Sequence, residues 1–157
     1  MKILAVDPGF DRLGIAVLEK KGESESLLYS DCFQTNKKNS YSNRIRAIGD
    51  EIERLIDEFS PDVFASEGLY FSKNQKTAID VAGSRGAIFY VAEKYSLPVH
   101  EYTPLQIKVA VTGYGKSDKS QVTDMVNRLI KIDKKIRIDD EYDAIAVALT
   151  CSAIEKF

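Results

Sequence analysis

The residues best able to do chemistry in this sequence are carboxylates, and they fall at three places. Asp7 ends the short apolar run KILAV and precedes Pro8-Gly9. Glu67 ends the apolar run DVFAS at 62–66. Asp139-Asp140-Glu141-Tyr142-Asp143 opens a long apolar stretch. An acid at the end of a buried strand stands where α/β sheets place their sites. On a helix, Asp140 and Asp143 share a face at i, i+3, continued by Ala144, Val147, Ala148 and Cys151. Asp139 with Asp143, at i, i+4, fits the same geometry, so spacing leaves both pairs open. First-turn acids also suit the helix dipole, whatever else they do. Glu67 is harder to explain by structure alone, because glutamate behind an apolar run is rarely buried without a purpose.

Several acids with few bases narrow the chemistry. His100 is the only histidine, and no Cys or His pair has zinc-ligand spacing. A set of oxygen ligands suits a hard cation, Mg²⁺ or Mn²⁺. Two such ions about 4 Å apart clamp the attacking and leaving oxygens in phosphodiester hydrolysis. Clustered carboxylates repel one another, so at least one pKa rises until a metal relieves the repulsion.

The basic features lie elsewhere. Gly113-Tyr114-Gly115-Lys116-Ser117 fails as a P-loop, which needs glycine where Ala110 stands, and as a dinucleotide loop, which needs glycine where Asp118 stands. What remains is a glycine turn into a helix N-terminus with Lys116 and Lys119 beside it, a generic anion site. Lys108 sits in mid-helix among apolar residues. Tyr70 and Phe71 follow Glu67 closely, with Lys73 next to them. Aromatic rings there are suited to stacking on unpaired bases.

These residues need a scaffold, and the pattern supplies one. Residues 2–6, 13–18 and 27–33 read as three strands with short connections, an antiparallel meander whose second turn contains Gly22. Ile45, Ile48, Ile52, Leu55, Ile56 and Phe59 recur at helical spacing before Pro61. A strand at 62–66 leads to a helix over 75–95, rich in small residues, whose Gly83 and Gly86 imply close packing against a sheet or another subunit. A strand at 98–102 precedes a helix begun by Thr103-Pro104. A further helix carries Val122, Met125, Val126, Leu129 and Ile130, and the last begins near Asp139. This order predicts an α/β fold with a mixed sheet, in one domain over 1–157.

Composition excludes several classes. The chain has 157 residues, 44% of them hydrophobic and 29% charged, with a net charge of −2. No apolar run approaches the roughly 18 residues of a membrane span. No signal peptide is evident, and Cys32 and Cys151 make no disulfide framework, so a cytoplasmic protein is expected. The near-neutral charge hides a pattern. Residues 68–137 carry 12 basic and 6 acidic side chains, against 9 and 13 in residues 1–67 and 1 and 5 in residues 138–157. A basic middle between acidic ends is compatible with nucleic-acid binding.

The sequence resembles the RuvC family of Holliday-junction resolvases. The matching stretches are ILAVDPGFDRLGIAV at 3–17, SEGLYFSKN at 66–74, AGSRGAI at 82–88, PLQIKVAVTGYGKSDKSQVTDMV at 104–126 and DEYDAIAVALT at 140–150. They keep the family's order over essentially the whole chain. The resemblance implies an RNase H-like fold, a homodimer and an Mg²⁺-dependent endonuclease with two ions per subunit, Mn²⁺ being able to substitute. It implies symmetric nicking of four-way DNA junctions in recombination and repair, leaving 5′-phosphate and 3′-hydroxyl ends, alongside the RuvA–RuvB branch-migration complex. The family's four catalytic, metal-binding acids fall on Asp7, Glu67, Asp140 and Asp143, which selects Asp140 over Asp139. Its phosphate-contacting lysines fall on Lys108 and Lys119, with Lys116 nearby. Its junction-engaging aromatic falls on Tyr70, with Phe71 as a neighbouring alternative. Two other readings stay open: another RNase H-like nuclease acting on RNA–DNA hybrids, and a catalytically silent junction-binding protein.

Overall fold

The computed structural model of the chain describes residues 1–68 and 75–155. In chain order the elements are β1 (Lys2–Asp7), β2 (Arg12–Lys21), β3 (Ser24–Gln34), α1 (Tyr41–Phe59), β4 (Val63–Glu67), α2 (Gln75–Lys94), β5 (Val99–Tyr102), α3 (Pro104–Thr112), α4 (Lys119–Leu129) and α5 (Asp139–Ile154). One five-stranded sheet has the order β3-β2-β1-β4-β5. The first three strands form the expected antiparallel meander, and β4 and β5 join parallel to β1. Parallel neighbours need long crossovers. Here α1 connects β3 to β4, and α2 connects β4 to β5.

The meander runs further than its apolar residues suggested. The ladder between β2 and β3 extends through polar pairs as far as Lys21 opposite Ser24. Gly22, at φ +60°, turns the chain in the left-handed region where glycine is unstrained. Pairing, not side-chain polarity, decides where a hairpin strand ends.

Alternation along the central strand divides the core. Ile3 and Ala5 face a layer made by α3, α4 and α5. Leu4 and Val6 face α1 and α2. Coverage on both faces explains why the inner residues of β1 form an unbroken apolar run. Helix starts follow their caps: Thr103 with Gln106 and Asp118 with Gln121 form reciprocal capping boxes. Gly113 closes α3 in the left-handed conformation.

Two helices differ from expectation. On α5 a single buried stripe was expected, but every residue from Ala144 to Ser152 is buried. Its small side chains let it lie between the sheet on one side and α3 and α4 on the other. On α2, Gly83 is explained within the chain, because a Cβ there would meet the Tyr41 hydroxyl of α1 at 1.8 Å. Gly86 faces open space, and Ile79 and Tyr90 of the same helix are exposed. Both cysteines are buried and free. Among the described residues, no helix is long and apolar enough to cross a membrane.

Candidate active site

The sheet register brings the first two acids together. β1 and β4 run parallel with Val6 opposite Ser66, so Asp7 and Glu67 leave the same end of the sheet on adjacent strands. The two carboxyls are close enough to hydrogen-bond to each other. Across β1, Gly14 of β2 pairs with Asp7. A Cβ at Gly14 would come within 2.0 Å of the Asp140 carbonyl oxygen and 3.3 Å of the Asp7 Cβ. The missing side chain therefore lets the first turn of α5 settle on β2 beside Asp7. The tight turn after Asp7 is held from α2, where the Ser84 hydroxyl donates to the Gly9 carbonyl at 2.8 Å.

The charges show how closely the four acids interact. Burial pushes the Asp7 carboxyl well above its usual range, and the charges of Glu67, Asp143 and Asp140 push it further. Glu67 is raised by burial and by Asp143, against the hydrogen bond with Asp7 and the nearby charges of Lys119 and Lys108. Asp143 is raised by burial despite its contact with Lys119. Asp7 thus feels all three other acids, which come from two further elements.

Cations flank this cluster. Lys119, at the start of α4, reaches Asp139 at 2.6 Å and Asp143 at 2.8 Å. Burial opposes its charge, but the hydrogen bonds to both carboxylates hold its pKa above the ordinary lysine range. Lys108, Lys119, Glu67 and Asp143 line one cleft of about 270 Å³ between α3, α4 and α5. Lys116 is exposed on the loop after Gly113 and does not line that cleft. The helix N-terminus expected to serve as an anion site is already occupied, since the Asp118 carboxylate accepts from the Gln121 amide. Lysine side chains, rather than the helix end, supply the positive charge there. Tyr70, Phe71 and Lys73 lie outside the described residues.

Sequence reasoning missed three features. Arg12 approaches Asp140 at 3.6 Å from the opposite flank. Its place two residues before Gly14, itself paired with Asp7, was the available signal. Lys119 pairs with Asp139 as well as Asp143, so the i, i+4 alternative has a geometric role. Glu141, a first-turn acid suited to the helix dipole, is buried and accepts from the Ser30 hydroxyl at 2.6 Å, with the Lys134 ammonium also at 2.6 Å.

Among the described residues, no group of three His, Cys, Asp or Glu side chains forms a ready-made metal site. The donor set still fits a hard cation on chemical grounds. Asp7, Glu67, Asp140 and Asp143 offer only oxygen, and their mutual repulsion is what a divalent ion would relieve.

Comparison with known proteins agrees with this architecture. Residues 3–151 match the family model for crossover junction endodeoxyribonuclease RuvC. A Thermosipho melanesiensis protein named crossover junction endodeoxyribonuclease RuvC is 46% identical over 155 residues, covering 99% of this chain and 98% of its own. The chain belongs to the RuvC family. A T. thermophilus RuvC solved in complex with a Holliday junction substrate superposes with a TM-score of 0.91 at 28% identity, over 98% of this chain and 93% of that one. The yeast mitochondrial resolvase Ydc2 shares the fold at 13% identity, with a TM-score of 0.69 over 94% of this chain and 76% of its own. The RNase H-like fold expected from the sequence is the fold observed.

Proposed function

We propose that this chain resolves four-way DNA junctions by metal-dependent phosphodiester hydrolysis, leaving 5′-phosphate and 3′-hydroxyl ends during recombination and repair. The observation that carries the reading is the meeting of Asp7 and Glu67 with the first turn of α5, beside a lysine-lined cleft, in a chain of the RuvC family. Asp7, Glu67, Asp140 and Asp143 would hold two Mg²⁺, with Mn²⁺ as a substitute. Ions so held supply a water nucleophile at neutral pH and stabilise the departing 3′ oxygen.

The chain's own groups do the rest. Asp7, at the end of the central strand beside Glu67, would meet the metal as a carboxylate. Lys119 leaves Asp143 for a phosphate oxygen of the bound strand, and Lys108 adds charge along the same cleft. Tyr70, with Phe71 beside it, engages unpaired bases at the crossover, and Lys73 and Lys116 extend the backbone contacts. A junction needs two cuts, so a homodimer is part of the proposal, with α2 as its surface, where Gly86 faces open space and Ile79 and Tyr90 are exposed. The RuvA–RuvB complex is the proposed partner, and the cytoplasm the proposed location.

The test is an incubation of purified protein with labelled synthetic four-way junction, plain duplex and RNA–DNA hybrid. Paired, ligatable nicks in the junction that need Mg²⁺ or Mn²⁺ are expected, and Asp7→Asn should bind the junction without cutting it. Preferential cleavage of hybrid would favour another RNase H-like nuclease. Junction binding without turnover would favour a silent binding protein.

A further inference from the structure

The four acids stand between two clefts, and only one of them has been given a role. Glu67 and Asp143 line the first, with Lys108 and Lys119. Asp140 lines the second, a cleft of about 570 Å³ formed by the turn after β1, the end of β3 and α2. Asp7 interacts electrically with acids on both sides. A scissile phosphate in mid-strand is joined to the chain through both its O3′ and its O5′, so a strand whose phosphate sits over the acids continues away from them in two directions.

Among the described residues of the second cleft, one cation is suited to such a strand. Lys37 is more exposed than Arg12, at 76%, but it is closely paired with Asp11 at 2.8 Å and makes no contact with the four acids. Arg44 is buried, and it too is bound to Asp11 and to the Phe10 carbonyl. Arg12 is different. Its side chain is 55% exposed, and its ion pair is a single contact to Asp140 at 3.6 Å, longer than a good charge-assisted hydrogen bond. A guanidinium has five donors in a planar fork that matches phosphate. One loose contact leaves most of that fork available. Any cation bound by Asp140 would also weaken Arg12's attachment to that carboxylate.

We propose that Arg12 binds a backbone phosphate of the cleaved strand in this second cleft, on the side of the acids opposite Lys108 and Lys119. The inference rests on the nuclease reading above. It adds a phosphate subsite and a DNA-binding residue to it. Arg12 serves as Asp140's counter-ion in the free protein and exchanges that carboxylate for phosphate when DNA arrives.

The test pairs Arg12→Ala and Arg12→Lys with junctions carrying one neutral methylphosphonate at each linkage flanking the scissile phosphate. Binding is measured in Ca²⁺, where cutting is suppressed, and cleavage under single-turnover conditions in Mg²⁺. Wild type should lose about tenfold in affinity or rate at one flanking linkage, in line with loss of a charge-assisted contact. Arg12→Ala should lose about as much on unmodified junction and nothing more at that same linkage. Its log affinity should fall less steeply with log salt, by about 0.9 in slope. Arg12→Lys should recover part of the loss. Thermal melting checks that each variant is folded. Additive losses at every linkage overturn the proposal. So does a defect cured by raising Mn²⁺ alone, which would confine Arg12 to positioning Asp140. Because the binding arm needs no cleavage, it tests Arg12 even if wild type fails to cut, an outcome that overturns the nuclease reading instead.

Discussion

The Asp140 carbonyl oxygen lies where a side chain on Gly14 would begin, 2.0 Å from the position of its first carbon. Both groups at that contact are backbone, so no rotamer change relieves it. Gly14→Ala should push the first turn of α5 off β2 and cost about 1–3 kcal/mol, as overpacking does. Asp140 and Asp143 move with that turn. The single-turnover cleavage rate should therefore fall by more than junction affinity does, which a comparison of the two measurements checks.

Asp7 offers a pH test. Its carboxyl is raised well above 3.8 by burial and then by the other acids. Between that ordinary value and its raised one, the folded chain holds a proton that the unfolded chain has released. This contribution to stability is complete below about pH 4 and is lost as pH rises through the folded pKa. In EDTA, Asp7→Asn should melt above wild type at about pH 8, with the gap closing towards about pH 4. Adding Mg²⁺ should raise the melting point of wild type and leave that of the variant nearly unchanged.

Lys119 bridges Asp139 and Asp143 but keeps 55% of its side chain exposed. Exposed pairs contribute about 1 kcal/mol or less. Lys119→Ala should accordingly melt close to wild type while binding junction more weakly, with a salt slope shallower by about 0.9. An unchanged slope would remove Lys119 from the phosphate track.

Glu141 separates a structural acid from the candidate metal ligands on the same turn. It is buried, and it ties α5 to β3 through Ser30 and to the preceding segment through Lys134. Glu141→Gln keeps an acceptor and should cost about 1 kcal/mol, and Glu141→Ala about 2–3 kcal/mol. Lys134 is half-exposed, so water can take the place of its lost partner. The metal concentration giving half-maximal cleavage should not move in Glu141→Gln, whereas in Asp143→Asn it should rise sharply.

Local signals carried much of the fold. The meander, the Thr103-Pro104 start of α3, and the ends of β1 and β4 at Asp7 and Glu67 are written in short stretches of sequence. That β4 lies beside β1 and β5 lies outside it depends on crossovers that no local pattern encodes. α5 was underestimated for a related reason. A helix buried on all sides has little amphipathic contrast, so its periodicity reports only part of its burial. The Asp7–Glu67 neighbourhood could be inferred from two strand ends, whereas Lys108 and Lys119 as phosphate contacts followed only from the family resemblance and Arg12 was not read at all. Lys119 meets Asp143 across 24 residues and Arg12 meets Asp140 across 128, contacts set by packing rather than by spacing.

The burial of α5 has a dynamic consequence. Segments with few buried contacts open independently, while the best-buried ones exchange their amide hydrogens only when the whole molecule unfolds. Asp140 and Asp143 lead into the buried run 144–152, and Asp7 ends the central strand. The acids are thus fixed to the part of the chain expected to open last. Lys108 and Lys119 sit on the shorter peripheral helices, where Leu105, Val109 and Leu129 remain exposed. Amide protection should accordingly fall from α5 to α3 and α4. On the proposed function, an acid cluster fixed in this way would face a more yielding basic wall, which would adjust to different junction arms without displacing the acids.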